Sequence, residues 1–147
     1  MPFGASRAVN SVSKEVLKFA SGLEAIESVV LAADEGANTS AALASATVGY
    51  EGKLGLRAGT IIAKSADDKY RRYTNSGGEE IVGILTDNVY FYDDTEASNE
   101  PASVFTHTAV FNKAKIIDYN AYKTALEAAL YTCRFEDHYD SSGRVIS

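Results

Sequence analysis

The chain has 147 residues, of which 46% are hydrophobic and 23% charged, and its formal net charge is −6. That length fits one domain with appendages, and that apolar fraction is enough for a packed core. The acidic balance excludes a globally basic surface of the kind that nucleic acids or anionic membranes require.

The charge is uneven along the chain. From Glu79 to Glu100 there are seven acids and no base, whereas Arg57 to Tyr73 carries five bases against Asp67 and Asp68. Two readings stay open: opposed patches that meet in self-association, or two solvated loop regions. The single cysteine, Cys133, has no internal disulfide partner, which fits a reducing compartment. No apolar run reaches the roughly 18 residues of a membrane helix. Met1 to Asn10 lacks the apolar core of a secretory signal, so a soluble cytoplasmic product is expected.

Residues 1–22 read as an N-terminal arm. Val12, Val16 and Phe19 fall at i, i+4 and i+7, and Ser11 or Ser13 can cap a short helix there. A helix of about ten residues is marginal alone, so the segment either docks on its own core or waits for a partner. Ile26–Ala32 is apolar and β-branched, the pattern of a strand. Asp34–Gly55, rich in Ala, Gly, Ser and Thr, reads as a long loop with a helical turn near Ser40–Ser45. Loops of that length are often binding elements.

The core begins at Leu56. In Arg57-Ala58-Gly59-Thr60, Gly59 sits where a type II turn demands positive φ. Ile61 and Ile62 enter a strand, Ser65–Asp68 turns, and Lys69–Tyr73 returns as a short strand. Asn75-Ser76-Gly77-Gly78 is a turn. Ile81–Thr86 reads as a buried strand in which Gly83 marks a bulge or a close backbone approach. Asn88–Tyr92 continues as strand, and Asp93–Pro101 is an acidic loop. Ala102–Phe111 reads as one long strand with Phe105, His107, Ala109 and Phe111 on one face. A helix follows over Tyr119–Tyr131, capped by Asp118 or Asn120, with Tyr122, Leu126 and Leu130 as its apolar stripe. A last strand is expected over Arg144–Ile146. The predicted fold is α+β and mostly β: a small, partly closed β-barrel with one C-terminal helix and an extended arm.

No catalytic constellation accompanies this pattern. His107 alternates with Phe105 and Phe111, so it reads as a structural histidine. His138 lies in Glu136-Asp137-His138-Tyr139-Asp140, whose spacing matches no standard zinc or calcium site. Cys133 ends the helix stripe, where a free cysteine acts as a small hydrophobe. Gly77-Gly78 is not followed by the Lys and Ser/Thr of a phosphate loop. The pairs Asp67-Asp68 and Asp93-Asp94 are read as charged turns rather than hydrolase carboxylates. The Tyr90-Phe91-Tyr92 run fits an interface or a core strand with one wet face. The expectation is therefore a protein that is not an enzyme, with no metal and no cofactor.

Four elements in order carry a resemblance. Leu56, Ala58, Gly59 and Thr60 form a Leu-x-Ala-Gly-Thr turn before an apolar strand, and Lys69 and Tyr70 follow after a variable segment. Val82, Gly83, Ile84 and Leu85 then make a Val-Gly-Ile-Leu strand, and Val104 to Asn112 makes a strand ending in an apolar pair and Asn. Over roughly residues 56–115 the chain resembles the head decoration (cement) proteins of tailed bacteriophages, of the lambda D type. The Asp34–Gly55 loop and the acidic tail after Cys133 are longer than is usual there. The resemblance implies a homotrimer on the exterior of the virion, made in the host bacterial cytoplasm. It would bind the major capsid protein of an expanded head at three-fold and quasi-three-fold positions and hold the shell against DNA pressure, with no direct nucleic-acid or membrane partner. It also implies that residues 1–22 are a capsid-binding arm, with Val9, Val12, Val16, Leu17 and Phe19 as anchors, on a single β-rich domain over 23–147. Strand addition by three tethered arms fits such a role, since backbone pairing tolerates varied side chains and avidity follows from tethering. Two other readings stand beside it: a different virion module on the same barrel, such as a head-fibre base or tail-associated piece, and a small ligand-binding or hydrolytic barrel built around His107 or His138.

Overall fold

The computed structural model describes residues 17–20, 26–32, 54–91, 100–139 and 145–146. Five strands close a barrel in the order β2-β5-β4-β6-β8: β2 is Ile26–Leu31, β4 Ile61–Lys64, β5 Tyr70–Arg72, β6 Glu80–Leu85 and β8 Glu100–Phe105. The expected small, mostly β architecture with one C-terminal helix is therefore present, and its barrel is closed. Beside it lie three smaller sheets. β1 (Leu17–Ala20), β9 (Ala109–Asn112) and β10 (Arg134–Glu136) form one, β3 (Leu54–Leu56) and β7 (Val89–Phe91) a second, and β11 (His138–Tyr139) and β12 (Val145–Ile146) a third.

Neighbouring residues of one strand feed two different cores, because side chains alternate across a sheet. Val29, Leu31, Ile62, Leu85 and Val104 fill the barrel interior, with Leu56 and Phe91 from the β3–β7 pair. Ile61, Ile84 and Phe105 point the other way, into a second core against β9, β10 and the helix α1 (Tyr119–Ala129). Both faces of β4 are thus buried, and Ile61, Ile62 and Ala63 are all at or below 2% exposed.

The glycine signals mark what they were expected to mark. Gly59 has φ 93, and the Thr60 N–H donates to the Arg57 carbonyl at 3.3 Å, closing the turn before β4. At Gly83 the β4–β6 register slips, so that Ile62 faces Gly83 while Ala63 faces Ile81. A Cβ at Gly83 would sit on the Phe105 carbonyl oxygen of β8, so the strand carries both a bulge and a close approach. Between β5 and β6 the Glu79 carboxylate accepts hydrogen bonds from the Thr74 and Ser76 N–H groups, at 3.2 and 2.8 Å. It thereby ties down a turn containing Asn75 (φ 58), Gly77 and Gly78 in the left-handed region.

Five sequence readings need correction. Leu17–Ala20 is a strand paired antiparallel with β9, not the end of a helix. The backbone edge of β9 offers that short segment fixed partners, which an isolated helical turn lacks. Leu54 and Gly55 belong to β3 rather than to the preceding loop. Val89–Phe91 pairs with β3 in a separate sheet instead of prolonging β6, after a turn at Asp87–Asn88. The acidic loop stops sooner than expected, because β8 starts at Glu100 and includes Pro101. There β8 pairs only with β2, so the missing N–H of proline interrupts no second ladder.

The fifth correction is the largest. Ala102–Phe111 is two strands broken at Thr106-His107-Thr108. β8 pairs with β2 and β9 with β1, so the break turns this chain segment round a corner from the barrel to the outer sheet. Thr108 makes that corner at φ 50, held by its N–H on Thr132 Oγ1 at 3.1 Å. A β-branched residue in the left-handed region is strained. Thr108→Asn, which tolerates that φ, is expected to raise stability by about 1 kcal/mol in denaturant unfolding. A lower midpoint would show that the threonine side chain is itself needed at the corner.

Helix α1 begins at Asp118, which has φ 60 and makes no side-chain capping bond; its carboxylate pairs instead with Arg72 at 3.4 Å. Leu126 and Leu130 are buried and Tyr122 is half-buried, as the apolar stripe predicts. Tyr122 departs from helical geometry (φ −118, ψ 16), and its ring meets Tyr73 edge-on at 5.0 Å. Arg144–Ile146 was expected as strand, and Val145–Ile146 is one, antiparallel to His138–Tyr139.

Candidate functional site

Of the motif residues, Ala58, Gly59, Thr60 and Leu85 meet at one seam, where β4, β6 and the Arg57–Thr60 turn come together. The Gly59 N–H donates to the Leu85 carbonyl at 3.0 Å, and the Leu85 N–H donates to the Thr60 carbonyl at 2.9 Å. Thr60 is fully buried, with its hydroxyl donating to the Arg57 carbonyl at 2.6 Å. The Ala58 N–H is held by Asn88 Oδ1 at 2.9 Å, and the Ile117 N–H by the Gly59 carbonyl at 3.0 Å. Leu56, Ile84 and Leu85 have no exposed surface. Asn112 is 1% exposed, and its Oδ1 accepts from the Ala114 N–H at 3.2 Å, turning the chain out of β9. Tyr70 and Val82 are half-buried against the barrel interior. These residues build the barrel and the strands beside it. Lys69 is the exposed one among them, and half-buried Tyr70 also lines a surface cleft.

The proposed arm divides. Val9, Val12 and Val16 lie outside the described residues, whereas Leu17 and Phe19 sit in β1, opposite Phe111 and Val110 of β9. The backbone of those two positions is already engaged within the chain.

The basic stretch is largely matched by its own neighbours. Arg71 meets Asp67 at 3.0 Å, Lys64 meets Asp68 at 3.5 Å, and Arg72 meets Asp118. The hydrogen bond from Arg71, then that from the Lys69 N–H, hold the Asp67 carboxyl below its usual value of 3.8. These pairs close the β4–β5 hairpin, so Asp67 and Asp68 serve as turn residues.

Among the described residues those with catalytic chemistry do not assemble, and the His138 side chain and the Asp93-Asp94 pair lie outside them. His107 is half-buried at the β8–β9 corner, with Nδ1 2.9 Å from Thr106 Oγ1, and it does not continue the apolar face of a strand. Cys133 is half-buried against the outer core, and burial pushes its thiol up, the opposite of an activated nucleophile. Among the described residues no group of three His, Cys, Asp or Glu side chains is placed to hold a metal ion. None of their helices is long and apolar enough to cross a membrane.

Tyr119 carries no signal in the sequence that marks it out. Its ring is buried at the start of α1, 5.7 Å from Phe135, and its hydroxyl donates to Glu127 Oε2 at 2.6 Å. Burial first, and the Glu127 carboxylate second, push its phenol up to about 12. Raised above its ordinary 10, this group contributes stability that is complete below pH 10 and is lost as pH rises towards 12. An ultraviolet titration is expected to show a late tyrosine step near pH 12 that is lost in Tyr119→Phe. If that variant keeps the late step, the hydrogen-bonded pair is not its source.

Several clefts mark the surface of the described residues. One lies where Asp118–Ala121 meets Lys113 and Asp137, one between α1 and the start of β6, and one beside β2 under the β4–β5 turn. No protein-family model, curated protein or solved structure matches the chain.

Proposed function

We propose that this chain is a structural virion protein that decorates the exterior of an expanded phage head. It acts as a trimer at three-fold and quasi-three-fold positions and holds the shell against internal DNA pressure. The observation that carries the reading is the order of the motifs: Leu56–Thr60, Lys69–Tyr70, Val82–Leu85 and Val104–Asn112 resemble the decoration family in sequence and spacing. The same residues supply adjacent parts of one small barrel and its flanking strand.

The major capsid protein is the partner in this reading, and the chain needs no cofactor or catalytic group for it. Residues 1–16 precede β1, which is paired with the chain's own sheet. Val9, Val12 and Val16 therefore remain the arm positions for capsid contact, while Leu17 and Phe19 anchor the arm to its own domain.

Light scattering tests the reading first. A solution mass three times 15.7 kDa, together with saturable binding to expanded heads but not to unexpanded ones, is the expected result. A monomer that leaves expanded heads bare removes the proposal. Deleting residues 1–16 is expected to weaken head binding while β1 stays paired with β9, read by amide exchange over Leu17–Ala20.

A further inference from the structure

Strand β2 is paired unequally on its two sides. Towards β8 all six of its residues have partners, from Ile26↔Phe105 to Leu31↔Glu100. Towards β5 there is a single pair, Leu31↔Tyr70, reinforced by the Ala32 N–H donating to the Tyr70 carbonyl at 2.9 Å. The β4–β5 turn at Ser65–Lys69 leads away just where β5 would have covered the rest of β2.

Backbone polar groups alternate in direction along a strand. Since the Ala32 N–H points towards β5, the N–H groups of Ser28 and Val30 point the same way, into a stretch with no described strand. A cleft of about 310 Å³ runs along this edge, lined by Ser28, Val30, Ala32, Lys69 and Tyr70 with Val29 and Asp68. Val30 is 54% exposed there, although it lies in the middle of a strand. Natural sheets guard such edges with lysine, proline or a bulge. β2 reads Ile-Glu-Ser-Val-Val-Leu and carries none of these at Ser28–Val30.

The rim of the cleft has a defined charge. Asp68 is engaged by Lys64 at 3.5 Å, so among the residues lining the cleft Lys69 carries a charge with no described salt bridge, its ammonium also lying in the field of the Asp67 carboxylate. A strand edge with no partner among the described residues, an apolar step at Val30 and Tyr70, and the Lys69 ammonium together fit an extended peptide. That peptide would carry an apolar residue over Val30 and a carboxylate near Lys69.

We infer that the Ser28–Val30 edge of β2 accepts an added β-strand from a partner protein, an extended acidic and apolar segment that pairs along β2 beneath the Ser65–Lys69 turn. Resting on the decoration reading, the segment belongs to the capsid shell protein, and this contact is separate from the one made by residues 1–16. The protein would then receive a strand from the shell as well as extend an arm to it.

The test uses the full-length protein with purified expanded heads. Val30→Lys places a charge on an exposed side chain and leaves both cores untouched; Ser28→Pro removes one edge N–H. Either change is expected to weaken head binding by roughly tenfold or more, with the thermal transition of Val30→Lys unchanged. Lys69→Glu is expected to weaken binding in a manner that added salt diminishes. In wild-type protein on heads, the Ser28 and Val30 amides are expected to exchange more slowly than in solution. Wild-type affinity in Val30→Lys with unaltered exchange at both amides overturns the inference and leaves the decoration reading intact. Failure of wild-type protein to bind heads overturns both. A fall in solution mass of Val30→Lys would assign the edge to a second copy of the chain and overturn the shell as its occupant.

Discussion

Gly83→Ala is expected to destabilise the protein by about 3 kcal/mol, through a clash rather than through lost flexibility. The added Cβ would overlap the Phe105 carbonyl oxygen and approach its carbon to 3.0 Å and the Val104 Cβ to 3.3 Å. Those atoms are backbone and core, so no flexible side-chain end can swing aside. The strands β6 and β8 would have to part, and they are joined by only two pairs, Ile84↔Phe105 and Leu85↔Val104. Separating them opens the barrel beside both cores. Gly77→Ala is the matched control, because Gly77 has φ 90 with nothing within 4 Å of its Cβ direction. Its cost is the backbone strain alone, about 1 kcal/mol. Urea unfolding of the two variants checks the difference, and equal midpoints would refute the close approach of β6 and β8.

Phe111→Ala is expected to cost about 4 kcal/mol, the largest effect of any single side-chain truncation in the outer core. Phe111 is fully buried, stacked on Phe135 at 5.3 Å and edge-on to Phe105 at 6.1 Å. Its loss leaves a cavity between β9, β10 and the barrel, and it removes two aromatic contacts beyond the area term. Phe135→Ala should cost less, since Phe135 is only half-buried. Because Leu17 pairs with Phe111 on β9, the same variant is expected to speed amide exchange over Leu17–Ala20. A stability loss without that faster exchange would mean that β1 is held independently of the aromatic cluster.

Much of the barrel was legible in the chain because its signals are local. A left-handed position at Gly59, a glycine pair at Gly77-Gly78 and the β-branched run at Ile61-Ile62 act within a few residues, and each element stands where it was read. The helix was equally legible from Leu126 and Leu130, although its expected cap at Asp118 turned to Arg72 instead. That choice depends on a strand far away in sequence.

The candidate site was less legible. The motif residues most easily recognised, such as Leu56, Thr60, Ile84 and Leu85, are buried and carry the architecture. The proposed contact centres on a strand edge and an exposed Val30, and neither of these has a motif. Ile26–Leu31 reads the same whether one or both of its edges are paired.

By itself the sequence determined the β-rich class, the turns, the strand at Ile26–Leu31 and the helix near the C-terminus, since φ preferences and side-chain periodicity are properties of short segments. Only the tertiary structure decided that Leu17–Ala20 pairs with β9, that Thr106–Thr108 breaks a strand in two, and that Val89–Phe91 leaves the barrel for β3. Those outcomes turn on which backbone edges remain unpaired after the two cores have packed, and that competition is between residues distant in the chain.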